Sequence, residues 1–384
     1  MKQQIKLTIA ICLGIAIMLG GCSKDKYDDT DLKKQIAEQQ KKIDDLETLM
    51  AALRNNAQIT SVTQNDDGTA TFIFADGNKI IIPFELGAGT EADPRKIFNA
   101  ADLNAMRNNL AMHYILMANI NVSNWLPVGD YTTNSAASMF TGSLNGNGHT
   151  ITIYSFDNVP NGGNGSGYRY GLFGVINGGK VSKLHVVISY YVGTVSQTNE
   201  RIYYGGIAGW LYSGALIENC SVSGALSAVG ASDNIQVGGI AGYISQSKIQ
   251  NCYATGSISA TGGSRNNAGG IVSLVENSST ITACVALQSS INNGGNADRS
   301  GRVVGYINGG TVAKSHANSG MQVNGGNATT DIGAGAKNGA NCTNANWSLA
   351  SWWTSITTNG LGWDNTIWDF TGVGATVYPV LRVN

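Results

Sequence analysis

Apolar positions along the chain change period several times, and each change predicts a different element. Leu7 to Leu19 is an apolar run of 13 residues behind Lys2 and Lys6. It is short for a membrane-spanning helix and has the charge and length of an export signal. Further on, apolar residues recur at Leu32, Ile36, Ile43, Leu46, Met50, Leu53 and Ala57. With Ile36, Ile43, Met50 and Ala57 at heptad position a, Leu32, Gln39, Leu46 and Leu53 fall at d. Such spacing predicts a helix, and Ile at a with Leu at d favours a parallel two-stranded coiled-coil stalk. A homotrimer stays open beside the homodimer, and so does a lone amphipathic helix docked on its own domain. From Ile59 to Phe84 the pattern becomes β-like and is broken by Asp67-Gly68 and Asp76-Gly77. Short strands parted by Asp-Gly predict a hairpin or three-stranded meander.

Beyond residue 170 the hydrophobic pattern itself repeats. A glycine-led strand recurs as Gly171-Leu-Phe-Gly174, Gly205-Gly-Ile-Ala-Gly209, Gly238-Gly-Ile-Ala-Gly242, Gly269-Gly-Ile-Val-Ser273 and Gly301-Arg-Val-Val-Gly305. A second signature follows each copy, including Ile217-Glu-Asn-Cys220, Ile249-Gln-Asn-Cys252, Ile281-Thr-Ala-Cys284 and Val312-Ala-Lys-Ser315. The step from Cys220 to Cys252 equals that from Cys252 to Cys284, and Ser315 falls a single position short of the next. About three short strands per unit, divided by Gly, Asn and Ser turns, cannot bury an apolar face alone, so units must stack. The predicted fold is mainly β, a right-handed parallel β-helix (β-solenoid) preceded by the α-helical stalk and the small β module. In-register stacking puts Ile217, Ile249, Ile281 and Val312 in one inward column. Cys220, Cys252, Cys284 and Ser315 form another, with Val222, Ala254, Ala286 and Ala317 two residues on. Between these, Ser221, Tyr253, Val285 and His316 should face outward.

Composition narrows the function classes. The 384 residues carry net charge −1, only 13% charged residues, 50 glycines and 5 prolines. So little charge argues against a disordered tail protein and against a nucleic-acid partner. The charge is also localised: 15 of the 36 residues from Ser23 to Gln58 are charged, which suits a solvated stalk. Glycine concentrates in the repeat, where it reads as turn geometry. Once Cys12 leaves with the signal, Cys220, Cys252, Cys284 and Cys342 remain in the body, without a CxxC pair for zinc.

Particular motifs resemble known families. Leu19-Gly20-Gly21-Cys22 resembles the lipobox of bacterial lipoproteins, which implies cleavage before Cys22 and its lipidation. Ser23 to Asp29, rich in lysine and aspartate, resembles a surface-export tract. Together they imply a lipid anchor in the outer membrane, on its extracellular face. The heptads followed by "ITSVTQNDDGTATFIFADGNKIIIPF" resemble an N-terminal module of secreted lipoproteins that also heads one polysaccharide-lyase family. "GGIAGW…IENCSVSGALS" and "GGIAGYI…IQNCYATGSIS" resemble the GLUG repeat of bacterial surface proteins and adhesins, over residues 170–320. Ser273 and Arg302 depart from that pattern, where small glycines are expected. The expected organisation is a signal peptide at 1–21, lipidated cysteine, linker and stalk at 22–58, and a β module at 59–86. A linker at 87–94, a cap helix and β-helix at 95–340, and a Trp-rich C-terminal coil or cap at 341–384 complete it.

No residue set announces catalysis. The four histidines are scattered, no HxxxH, G-x-S-x-G or phosphate loop is present, and no cofactor or metal is called for. Polysaccharide lyases and glycoside hydrolases on β-helices need clustered Asp, Glu, Lys or Arg. Only about 16 charged residues lie between Phe140 and Ile332. An enzyme is therefore the minority reading. Aromatic residues are the better ligand candidates. Tyr190, Tyr191, Tyr203 and Tyr204 flank the loop at 192–202, and alternation should expose one of each pair. Trp352, Trp353 and Trp363 belong to the tryptophan-rich stretch from Trp347 to Trp368, either a stacking platform or a cap on the last coil. Cys220, Cys252 and Cys284 read as a structural ladder of small hydrophobes, with a disulfide between adjacent coils as the alternative. The expected function is adhesin-like binding of a glycan or of a host or neighbouring-cell protein. A glycan-binding accessory protein is the alternative.

Overall fold

The structure, a computed structural model, describes residues 30–54, 58–64, 69–83, 86–130, 136–156, 167–195, 201–230 and 234–383. The export signal, Cys22 and the segment up to residue 29 lie outside the described residues. Two compact units are present, Met1–Glu85 and Leu86–Asn384.

In the first unit the heptad segment is a helix, α1 (Thr30–Arg54). It packs against an antiparallel three-stranded meander of β1 (Ile59–Gln64), β2 (Thr69–Phe74) and β3 (Lys79–Pro83). Ala70, Phe74 and Ile82 are its buried residues, and Ile36 on the heptad seam stays 43% exposed. The helix, the strands and the turn at Asp76-Gly77 follow the pattern of the sequence, and Asp67-Gly68 lies outside the described residues.

The second unit is mainly β, a solenoid of about 6 turns. One coil is composed of the strands Arg201–Gly205, Ala208–Tyr212, Leu216–Glu218 and Ser221–Gly230. This coil thus has four strands, one more than the pattern suggests, because the Gly-Gly step after Tyr204 bends one apparent strand into two. Stacking of coils makes four lateral sheets of five, five, eight and twelve strands, paired almost throughout in parallel register. We term the sheet containing Arg201–Gly205 the first face and the sheet containing Ala208–Tyr212 the second.

Register places like residues over like. Ile217, Ile249, Ile281 and Val312 are paired coil to coil and buried. Cys220, Cys252, Cys284 and Ser315 are fully buried beside them, and all four body cysteines are free thiols. Each ladder thiol contacts the carbonyl two residues before it, Cys252 Sγ lying 3.1 Å from Gln250 O. Complete burial of each Ile or Val is worth roughly 1.5–3 kcal/mol, so the column is a main source of stability. The residue before each cysteine turns the corner in the left-handed region: Asn219 has φ 51° and Asn251 φ 53°. Asparagine tolerates that conformation better than other non-glycine residues, which explains the Asn-Cys signature.

The two departures from the glycine pattern have different reasons. Gly206, Gly239 and Gly270 each lie directly under the backbone of the following coil, where a Cβ would collide. Arg302 is the last member of that column, and above it lies the irregular segment at 337–339, where Asn338 Oδ1 accepts from the Arg302 amide (2.9 Å). Its guanidinium is buried and fixes the terminal loops instead. Nε donates to Asn338 O (3.0 Å), Nη1 to Asn318 O (3.2 Å) and Nη2 to Gly339 O (3.3 Å). Ser273 is accommodated by an Oγ bond to Asn267 O (3.1 Å).

At the opposite end α2 (Ala100–Ala105) is capped by Asn99, whose side chain accepts from the Ala101 and Asp102 amides. It is shorter than the helical spacing of its sequence, and its Leu103 with the following Met106 closes the first coil's core. The segment expected as a linker is tightened internally by Ala88 N to Asp93 Oδ2 (2.8 Å) and joined to the body by His113 N to Gly89 O (2.9 Å).

Removing the Arg302 side chain takes the donor from three carbonyls at this end, those of buried Asn338 and Gly339 and of half-buried Asn318. Arg302→Ala should lower the unfolding free energy by about 2–4 kcal/mol in urea, and Arg302→Lys should recover only part of it.

Candidate binding face

The C-terminal tryptophans do not seal the last coil end-on. After strand Ala340–Cys342 joins the final coil, the chain turns back and lies across the solenoid's flank. Trp363 Nε1 donates to Ala283 O (3.0 Å), Tyr253 OH donates to Pro379 O (3.0 Å), and the Arg382 carbonyl fills the space beside Gly148. This strap covers the outward column, so Tyr253, Val285 and His316 face away from the core yet are buried. Tyr253 is the hub: its ring meets Trp353, Trp363, Trp368 and Tyr378 at centroid distances of 5.8–6.2 Å. Burial pushes its hydroxyl up to about 12. Trp353 and Trp363 are therefore interior side chains, and Trp352 is half-buried, edge-on to His316 at 5.2 Å. They form packing between strap and solenoid and present no open platform.

The tyrosine pairs fare differently from the alternation rule as well. Tyr190 and Tyr191 lie on strand His185–Val195, where only the backbone is described. Tyr204 points into the core, as alternation requires, but outward-facing Tyr203 is also buried. What covers Tyr203 is a cluster that builds a surface of its own.

On the first face Ile202, Tyr204, Ile235 and Val237 point inward, which turns Tyr203 and Gln236 outward. In-register pairing strings Arg169, Tyr203, Gln236 and Asn267 into one column, and Arg299 Nη1 donates to Asn267 Oδ1 (3.3 Å) at its end. On the second face Val175, Trp210, Tyr243, Leu274 and Tyr306 are paired in the same way. The glycine bend folds these columns toward each other. At Gly209 a Cβ would lie 2.8 Å from Arg169 Cβ, so only glycine allows the approach.

Arg169 thus sits 5.0 Å from the Trp210 ring and 5.6 Å from Tyr203, while Tyr203 stacks on Trp210 at 5.8 Å. Trp210 meets Tyr243 edge-on at 5.2 Å, and Arg299 lies 4.9 Å from the Tyr306 ring. Tyr243 OH donates to Glu276 Oε2 (2.8 Å), and Asn308 Nδ2 donates to Glu276 Oε1 (3.2 Å). Burial and the Glu276 carboxylate raise the Tyr243 hydroxyl pKa well above its ordinary value. Gln236 is buried in the column with its Oε1 lacking a donor. Trp210, Tyr243 and Tyr306 are half-buried and Tyr212 beside them is exposed.

Aromatic rings beside guanidinium and amide groups can stack and hydrogen-bond. Glu276 is already engaged, and among the described residues no cluster of His, Cys, Asp or Glu could hold a metal. Sequence reasoning passed over this face, although its signal is visible. The residue following each glycine-led motif is Trp210, Tyr243, Leu274 and Tyr306 in turn. A second concavity, of about 300 Å³, lies on the eight-stranded sheet beside His113, Ser143, Asn145 and Lys180. Its polar groups engage one another: His113 Nδ1 pairs with Ser143 Oγ (2.8 Å) and Lys180 Nζ with Glu218 (2.7 Å).

A family model described as the GLUG motif matches residues 201–227 and 233–259. The solenoid contains GLUG motifs. The two matched GLUG segments include Tyr203, Trp210, Gln236 and Tyr243, the centre of the aromatic corner. Halomucin from Haloquadratum walsbyi is 30% identical over 197 residues, which is 48% of this chain and 2% of halomucin. A solved structure from Bacteroides ovatus, provisionally assigned as an immunoglobulin A1 protease, aligns at a TM-score of 0.49 and 20% identity. That alignment covers 78% of this chain and 95% of the other.

Histidines on the flank carry a pH consequence. His185 Nδ1 pairs with Ser221 Oγ (2.7 Å), and burial lowers its pKa to about 4, while His316 is lowered for the same reason. An unfolded histidine titrates near 6.5, so the unfolded chain binds more protons between the two values. Stability is complete above about pH 6.5 and falls as pH drops toward 4, by on the order of 3 kcal/mol for His185 alone. Urea titrations at pH 7.5 and 4.5 should show this loss, and His185→Gln should reduce it.

Proposed function

We propose that this protein is an adhesin-like binding lipoprotein of the bacterial cell surface. Cys22 carries the lipid anchor to the outer membrane, and the solenoid is displayed on the extracellular side. The heptads of α1 form a parallel coiled coil, a homodimer or homotrimer, as the 43% exposure of Ile36 invites. The observation that carries the binding reading is the corner where the Arg169 and Trp210 columns meet. Trp, Tyr and Arg on one rigid surface are the residues that dominate recognition interfaces. A lyase or hydrolase would need a carboxylate free to act, whereas Glu276 is tied to Tyr243 and Asn308.

Whole cells expressing the chain test the proposal by adhesion to immobilised mucin and extracted capsular polysaccharide. Adhesion is expected, with a roughly tenfold loss on Trp210→Ala. Cys22→Ser should move the protein from the outer-membrane fraction to the soluble fraction and abolish adhesion. Persistent membrane fractionation of Cys22→Ser, or adhesion indifferent to Trp210→Ala, would overturn it.

A further inference from the structure

We infer that the aromatic corner is a track for a linear polysaccharide lying parallel to the solenoid axis. The inference rests on the binding function proposed above and adds the class of ligand and its direction. Its basis is translational repetition. Trp210, Tyr243, Leu274 and Tyr306 occupy successive rungs of one column, and Arg169, Tyr203, Gln236, Asn267 and Arg299 occupy the facing one. Rungs of a parallel sheet are about 4.8 Å apart, close to the advance of one sugar along an extended chain. A surface that repeats at this step is matched by a polymer that repeats at it, whereas a protein surface without stacked parallel strands presents no such period.

The chemistry of each rung agrees. A pyranose ring has an apolar C–H face and a rim of hydroxyls. The half-buried rings of Trp210, Tyr243 and Tyr306 offer flat apolar surface for the first. Arg299, half-buried at the end of the facing column, offers donors for the second, while Tyr203, Gln236 and Asn267 are buried behind the rings and hold them in place. The accessible part of the track is aromatic, with the Arg299 guanidinium at one end, so a neutral chain or one with sparse carboxylates is accommodated. Binding at several rungs of one chain is multivalent, so affinity should rise with ligand length until the rungs are filled.

The test uses the full-length protein in mild detergent. Affinity electrophoresis is run in gels containing β-glucan, galactomannan, arabinoxylan or chondroitin sulfate. Tryptophan fluorescence is then titrated with oligosaccharides of two to six sugars from whichever polymer retards the protein. Retardation by at least one linear polymer is expected, with Kd falling at least tenfold from the disaccharide to the pentasaccharide. Trp210→Ala and Tyr306→Ala, three rungs apart, should each weaken the pentasaccharide roughly tenfold. Tyr306 lies on the terminal coil, where nothing stacks above it, so Tyr306→Ala keeps the fold if Trp210→Ala does not. Lys248→Ala, on another sheet, should bind as the parent does. Failure of every polymer to retard the protein, with Trp210-dependent adhesion intact, would assign the corner to a protein partner and overturn this inference alone. Affinity independent of chain length would also overturn it, by indicating an end-group pocket. Loss of adhesion and retardation together would overturn both readings.

Discussion

In-register backbone hydrogen bonding between successive coils is the constraint on which the rest of this protein depends. Each strand bonds to its counterpart one repeat earlier and one later, so a residue's neighbours are fixed by its position within the repeat. One register therefore produces the Ile217 column, the thiol ladder and the aromatic corner together. A slip of one residue would turn Ile217, Ile249 and Ile281 outward and bring Glu218, Gln250 and Thr282 into the core, at prohibitive cost. The glycine pairs are the other side of the same constraint, because the coils approach too closely at the first bend to admit a Cβ.

A stack of coils must also end. The first coil ends beneath Leu103 and Met106, apolar residues from a short capped helix. The last uses Arg302, the one buried guanidinium that reaches three loop carbonyls at once. Between these ends the strap adds a second core on the flank, where Tyr253 and the tryptophans bury the outward side of the thiol column. Stability is thus concentrated along one flank, and the aromatic corner of the first and second faces belongs to a different part of the surface.

What the sequence discloses follows from period. Columns that recur once per repeat were legible: Ile217, Cys220 and Val222 and their successors occupy the inward positions expected of them. The heptads predicted α1, and Asp67-Gly68 and Asp76-Gly77 predicted the meander. The strap was not legible, because Trp363 and Pro379 occur once and nothing periodic ties them to Ala283 or Tyr253, which are distant along the chain. Alternation implied only that one of Tyr203 and Tyr204 is exposed, and it could not reveal that outward-facing Tyr203 is also buried, by Arg169 and Trp210 from neighbouring strands. The binding corner lies between these cases. Its residues sit in the repeat, but at positions where the side chain varies and only the geometry shows the columns meeting.

The same register that stabilises the body therefore dictates what it offers a ligand: half-buried aromatic rungs at a constant step, on a rigid support. The most direct measurement of that claim is the urea stability of Gly239→Ala. A Cβ there would overlap the Gly270 carbonyl of the next coil and lie 2.8 Å from Ala254 Cβ, whereas one at Gly372 meets nothing within 4 Å. Gly239→Ala should cost about 3 kcal/mol or more, with Gly372→Ala close to the parent. Equal stability of the two variants would contradict in-register stacking at this bend.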